Sequence, residues 1–177
     1  DVCINLIFSS SSTIYGNSQS PLFETSSIGN NITNPYGRSK YIIEQILTDL
    51  CISEPKWSII SLRYFNPIGA HESGLIYDNP NGIPNNLMPY IVNVAKQNNT
   101  DIYNSEEYNA AKVFGTDYDT PDGTCLRDYI HVVDLAKGHL KAIEKIDDLN
   151  GYNTYNLGTG KPTSVLELID TFAKVNN

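Results

Sequence analysis

A mostly apolar run over residues 2–8 is followed at once by four serines and a threonine, Ser9-Ser10-Ser11-Ser12-Thr13. The apolar run reads as a buried strand. The hydroxyl residues then stand at its carboxyl end, the edge where open α/β sheets bind ligands. Some twenty residues on, Asn34-Pro35 precedes Tyr36-Gly37-Arg38-Ser39-Lys40. Proline suits the first turn of a helix, so a helix over 35–50 is predicted. Tyr36 and Lys40 then share one face, a turn apart. An ammonium beside a phenol favours the phenolate and lowers its pKa from about 10, which makes tyrosine a usable base near neutral pH. Alone, the pair also suits the surface of any amphipathic helix, and the serines alone suit a solvated loop. A strand ending in hydroxyls followed by a helix carrying Tyr and Lys is far more restrictive than either part.

The rest of the chain reads as alternating strands and helices. A loop over 9–33 leads to the first helix, whose Ile42, Ile43, Ile46, Leu47 and Leu50 form an apolar stripe at helical spacing. A strand follows over 57–64, then a loop rich in Asn, Pro and Gly from 66 to 84, then a helix over 87–97. Residues 97–112 are polar and weakly patterned. A short strand is predicted at 112–114, an acidic turn at 117–123, a helix over 134–145, a strand over 153–157 and a helix over 164–175. No internal repeat is evident. The pattern predicts an α/β fold.

Composition narrows the class. No apolar run approaches the roughly 20 residues of a membrane span, and no signal peptide is visible. The net charge of −8 argues against nucleic acid as a partner. It does not exclude an anionic nucleotide, because a diphosphate needs only local cations and amides. Cys3, Cys51 and Cys125 lack metal-ligand spacing and read as free thiols of a reducing compartment. His71, His131 and His139 show no ligand spacing either, so no metal site is expected. His131 reads as a structural hydrogen-bonding residue and His139 as exposed or half-buried on its helix.

Several further stretches occur in order: Leu62-Arg63-Tyr64-Phe65-Asn66-Pro67-Ile68-Gly69-Ala70-His71, Gly82-Ile83-Pro84-Asn85-Asn86-Leu87-Met88-Pro89-Tyr90, Val113-Phe114-Gly115-Thr116-Asp117-Tyr118, Arg127-Asp128-Tyr129-Ile130-His131-Val132 and Tyr155-Asn156-Leu157-Gly158-Thr159-Gly160. With the serine run and Tyr-x-x-x-Lys, they resemble the nucleotide-sugar 4-epimerases of the extended short-chain dehydrogenase/reductase family over nearly the whole chain. The resemblance implies part of a Rossmann-type domain, with a doubly wound parallel sheet, joined to part of a smaller substrate-binding domain, and makes part of 97–112 an inserted surface loop. It implies NAD as cofactor and the interconversion of UDP-glucose and UDP-galactose by transient oxidation at C4. Tyr36 is then the acid/base, Lys40 its partner and a ligand of the nicotinamide ribose, and Ser11 the group that bonds the 4-hydroxyl. Tyr64 and Phe65 lie on the nicotinamide side. Asn66, Asn86, Leu87, Lys112, Val113, Phe114 and Arg127 hold the nucleotide-sugar, with 112–114 at the uracil and Arg127 at the diphosphate. The resemblance also implies a cytoplasmic homodimer that pairs through the first helix.

The Gly-rich strand–turn–helix that opens this family is missing from the sequence. Gly158-Thr159-Gly160 is followed by Lys161-Pro162-Thr163 and lacks the third glycine of a dinucleotide fingerprint. The expectation is therefore an internal piece of a longer chain: residues 1–65 as the latter part of the NAD-binding domain, and 66–177 as mostly nucleotide-sugar-binding region with segments returning to the Rossmann-type domain. Two other readings stand beside it. Sister dehydratases and decarboxylases carry a carboxylate directly after the catalytic hydroxyl, where this chain has Ser12 and Thr13. A truncated binding module with no activity of its own is the other.

Overall fold

A computed structural model describes residues 4–82, 84–98 and 111–176. Cys3, Ile83, the first residues of the expected strand and most of the polar 97–112 stretch lie outside the described residues. The chain divides into two compact units. One comprises Asp1–Pro67 and Ile130–Gly160, the other Ile68–Tyr129 and Lys161–Asn177.

The first unit is built on three parallel strands, β1 (Asn5–Ser11), β2 (Ser58–Tyr64) and β5 (Gly151–Leu157), in the order β1-β2-β5. Successive side chains of a strand point to opposite faces, and both faces are covered. On one, Leu6, Phe8, Ile59 and Tyr152 pack against Leu47, Cys51, Ile43 and Leu50 of helix α1 (Pro35–Ser53). On the other, Ile7, Ile60, Leu62 and Leu157 pack against Ala142 of helix α3 (Val132–Lys145) and Ile146 just beyond it. Burial on both faces is the reason β2 and the first half of β1 read as apolar runs rather than alternating ones.

Caps set the helix starts. The Asn34 side chain accepts the Gly37 N–H at 2.7 Å, with Pro35 in the first turn of α1. The His131 ring accepts the Val133 N–H at 3.2 Å, which begins α3 two residues ahead of the predicted start at 134. His131 is thus a structural hydrogen-bonding residue, as its motif implied.

In the second unit, β4 (Leu126–His131) pairs antiparallel with β6 (Pro162–Ser164), and β3 (Asn66–Ile68) completes a sheet of order β3-β4-β6. Its core gathers Ile91 of helix α2 (Leu87–Asn98) and Leu168 and Ile169 of helix α4 (Val165–Asn176), with Ile68, Val113, Tyr129 and Phe172 around them. Ser164 and Glu167 cap α4 reciprocally: the Ser164 hydroxyl accepts the Glu167 N–H at 3.0 Å and the Glu167 carboxylate accepts the Ser164 N–H at 3.4 Å. Asp122 ties the preceding turn to the same cap. It accepts the Thr124 N–H at 2.9 Å and hydroxyl at 2.8 Å, and also the Ser164 hydroxyl.

Three expectations are corrected. The serines do not open a loop at residue 9, because β1 runs on to Ser11 beside β2, with Ser11 opposite Tyr64. Residues 112–114 form no strand. Val113 instead enters the α2–α4 core as a single side chain, and the chain turns at Gly115, where φ is +83°. Strands β3, β4 and β6 were not foreseen, since such short or charged stretches show little alternation. Among the described residues, no helix is long and apolar enough to cross a membrane.

Candidate active site

The candidate site is assembled at the carboxyl ends of β1 and β2. Beyond Ser11 the chain winds into one 3-10 turn, Ser12–Tyr15, and the Ser11 hydroxyl caps it. Its oxygen accepts the Thr13 N–H at 3.2 Å and the Thr13 hydroxyl at 3.0 Å. A hydroxyl that accepts twice still has its own proton to donate.

The first turn of α1 is seated on this 3-10 turn. A Cβ built on Gly37 would lie 3.0 Å from Thr13 Oγ1 and 3.0 Å from Ile32 Cγ2. The helix can come this close only because residue 37 has no side chain. Tyr36, its neighbour, is 54% exposed, so its phenol is open to a ligand.

Lys40 reaches back from the next turn to the end of β1. Its ammonium donates to the Ser9 carbonyl at 2.8 Å and stands 5.1 Å from the centroid of the Phe8 ring and 5.4 Å from that of Tyr36. These are cation–π distances. Of its three N–H donors, Ser9 takes one.

Tyr64, at the end of β2, joins the same group. Its phenol donates to Ser9 Oγ at 2.7 Å and also meets Nε2 of His139 on α3. His139 Nδ1 lies 2.9 Å from the Leu135 carbonyl. Burial pushes the Tyr64 phenol up; the Ser9 bond opposes this and the nearby Tyr36 adds to it. Phe65 follows half-buried, its N–H tied to the Leu157 carbonyl at 3.0 Å. Asn66 is exposed at the start of β3.

Lys40 and Tyr64 therefore meet at Ser9, with Tyr36 beside Lys40, and Ser11 two residues on is joined through Thr13 to the start of α1. Ser9 and His139 were not among the predicted site residues. Neither carries a signal of its own: Ser9 is one serine of a run, and His139 sits in a helix 75 residues from the tyrosine it meets. Beneath the site lies a buried ion pair, Glu44 with Arg63, likewise unforeseen. Its signal was a charge inside the otherwise apolar strand over 57–64.

The remaining predicted residues belong to the second unit. Leu87 and Val113 pack into its core. Asn86 directly precedes α2, where its carbonyl accepts the Tyr90 N–H at 3.3 Å and its amide donates to Asp78 at 3.4 Å. Lys112 and Phe114 flank Val113, and Phe114 is 82% exposed. Arg127 is exposed on β4 opposite Thr163 and donates to the Leu126 carbonyl at 2.9 Å.

A parallel sheet wound on both faces, with Ser, Tyr and Lys gathered at its carboxyl edge, defines a Rossmann-type nucleotide-binding fold. The chain belongs to the NAD dependent epimerase/dehydratase family, whose model matches residues 2–158. It is 54% identical over 174 residues to the UDP-glucose 4-epimerase of Haemophilus influenzae, a match covering 98% of this chain and 48% of that protein. It is 53% identical over 173 residues to the human UDP-glucose 4-epimerase, covering 97% of this chain and 47% of that one. Among solved structures, the UDP-glucose 4-epimerase of Bifidobacterium longum in complex with NAD+ and UDP matches with a TM-score of 0.85 at 52% identity, covering 96% of this chain and 48% of that one. The enzyme from Stenotrophomonas maltophila, with bound NAD and formylated UDP-arabinopyranose, matches with a TM-score of 0.87 at 46% identity, covering 97% and 48%. The chain thus spans about half the length of the relatives it matches.

Proposed function

We propose that this chain carries the acid/base machinery of a UDP-glucose 4-epimerase, which interconverts UDP-glucose and UDP-galactose. The observation that supports this most is the 54% identity to such an enzyme along 98% of the chain. The donor set fits the nicotinamide–ribose end of NAD: a largely exposed phenol, an ammonium with donors to spare and the half-buried Phe65 ring, all at the strand ends. Tyr36, Lys40, Tyr64 and Phe65 would hold it there. When bound, NAD supplies the reversible oxidation at C4 of the sugar.

The chain's own residues move the proton. Ser11, with its proton free to donate and its oxygen already held by Thr13, bonds the 4-hydroxyl. Tyr36, as its phenolate, takes the hydroxyl proton as the ketone forms and returns it afterwards, while the Lys40 cation beside the ring offsets the charge the phenolate carries before the proton arrives and again once it has left. Asn66, Asn86, Leu87, Lys112, Val113 and Phe114 are assigned to the nucleotide-sugar. Arg127 is assigned to its diphosphate, whose two oxygens suit a guanidinium fork. The exposed Ile42 and Ile46 of α1 are assigned to a homodimer contact, and the protein to the cytoplasm, where Cys51 and Cys125 stay free thiols.

The test is conversion of UDP-galactose to UDP-glucose by the full-length protein and its Tyr36→Phe variant. Loss of a positioned acid/base lowers turnover by at least ~10²-fold, with NAD still bound. Near-normal turnover in the variant would remove Tyr36 from the mechanism. No conversion by the unaltered protein would refute the assignment.

A further inference from the structure

One row of the first sheet departs from its apolar character. Ser10, Arg63 and Asn156 stand side by side in register across β1, β2 and β5. They lie on the face that α1 covers. Glu44 of α1 turns its carboxylate inward to meet them. Its Oε1 accepts from Ser10 Oγ at 2.5 Å and Arg63 Nε at 3.1 Å, and its Oε2 from Arg63 Nη2 at 2.7 Å. Arg63 Nη1 donates to the Tyr15 phenol at 2.9 Å and to the Glu24 carbonyl at 3.1 Å. Tyr15 in turn donates to Asn156 Oδ1 at 2.7 Å. Asn156 binds back to the 17–33 loop through the Leu22 carbonyl at 3.1 Å and the Glu24 carboxylate at 2.8 Å.

The centre of the cluster is closed to water. Glu44 is 1% and Arg63 3% exposed, Ser10 and Tyr15 not at all. No buried side-chain nitrogen or oxygen among the described residues lacks a partner. Burial works against the Arg63 charge, but its bonds to Glu44 and Tyr15 more than reverse this, so the guanidinium stays charged.

Stability alone does not account for such a cluster. A buried ion pair can often be exchanged for apolar side chains of similar volume with no loss of stability, because desolvation cancels most of the attraction. A two-toothed guanidinium–carboxylate contact does supply direction, since it fixes both distance and angle. Each member here is a short step from a residue of the site. Ser10 precedes Ser11. Arg63 precedes Tyr64. Glu44 is one helical turn beyond Lys40. Tyr15 closes the turn that Ser11 caps.

We propose that Glu44 and Arg63 are positioning residues, which hold α1 and the ends of β1 and β2 in one register so that Ser11, Tyr36 and Lys40 converge on a single substrate hydroxyl. This rests on the acid/base reading of those three residues given above. The pair touches neither substrate nor cofactor. It acts by fixing where the groups that do so stand.

The decisive variant is the double substitution Glu44→Leu with Arg63→Met in the full-length protein, which removes both charges and strands neither. The melting temperature should change little. Turnover should fall by about 10²-fold, the scale of an ångström-level misplacement, with KM altered by less than about threefold. Amide hydrogen exchange in residues 11–15 and 35–40 should quicken. Arg63→Lys, which keeps the charge but loses the fork, should not restore turnover. A folded double variant with normal turnover and normal exchange would overturn the proposal. Should that variant not fold, Tyr15→Phe carries the test: lower turnover at unchanged KM and melting temperature supports positioning, and unchanged turnover overturns it. Should the unaltered protein convert no UDP-sugar, the function assigned above fails, while the exchange comparison still decides whether the pair orders these segments.

Discussion

Gly37→Ala separates two effects that pull in opposite directions at the start of α1. Replacing a helical glycine by alanine stabilises by at most about 1 kcal/mol. The new methyl, however, would lie 3.0 Å from both Thr13 Oγ1 and Ile32 Cγ2, and 3.2 Å from Thr13 Cβ. Neither neighbour is free to yield. Ile32 is buried, and the Thr13 hydroxyl is bonded to Ser11. Overpacking at a tight site costs about 1–3 kcal/mol, so the net change should be a loss of about 1 kcal/mol. In a protein of this size that corresponds to a fall in Tm of about 2–4 °C, measurable by thermal melts followed by circular dichroism. The same substitution in a Thr13→Ala background, where the hydroxyl no longer obstructs, should cost less, with a coupling of at least about 0.5 kcal/mol between the sites. If Gly37→Ala instead raised Tm, helix propensity would outweigh packing here, and the seating of α1 on the 3-10 turn would be looser than described.

Two further outcomes concern stability. The hydroxyl of Ser164, followed by the N–H and hydroxyl of Thr124, holds the Asp122 carboxyl below its ordinary value. The stability it contributes is therefore complete above the unfolded-state value of about 3.9 and is lost as pH falls through the lower folded value. The stability gap between the unaltered protein and Asp122→Asn should narrow below about pH 4, and a gap that stays constant from pH 7 to 3 in urea titrations would contradict the assignment. Ile59 is fully buried between β1, β5 and α1, whereas Ile52 near the end of α1 is 73% exposed. Ile59→Ala should cost about 2–5 kcal/mol and Ile52→Ala within about 0.5 kcal/mol; similar losses at the two positions would mean that the end of α1 is covered.

The elements legible in the sequence are those whose cause is local. Asn34-Pro35 carries both a cap and a helix-compatible φ, so α1 begins where expected. The apolar run ending at Tyr64 is buried on both faces, so β2 is recognisable without alternation. The strand expected at 112–114 failed because Val113 and Phe114 have strand-like side chains but no ladder partner among the described residues. Conversely, β6 is three residues long and begins with proline, and it exists because β4 lies beside it. The site divides the same way. Tyr36 and Lys40 lie one turn apart on one helix, so their proximity follows from helical geometry. Tyr64 and His139 meet only because α3 packs on the face of the sheet to which Tyr64 points, and no spacing encodes that. Glu44 is concealed differently: a charged residue on a helix reads as solvated until the face it occupies is known.

The two units interrupt each other along the chain, and this sets an order on their making. The segment 68–129 is synthesised before β5 can complete the first sheet. Ile91 in turn waits for Leu168 and Ile169, which emerge only after β5 has been made. Neither unit can close its core from a contiguous stretch, so loop-closure entropy is lost before the distant contacts that offset it have formed. During that interval β2 has one of its two strand neighbours and α2 exposes an apolar face. The nascent chain is thus most open to mispairing and to capture by chaperones while residues 68–164 are being made.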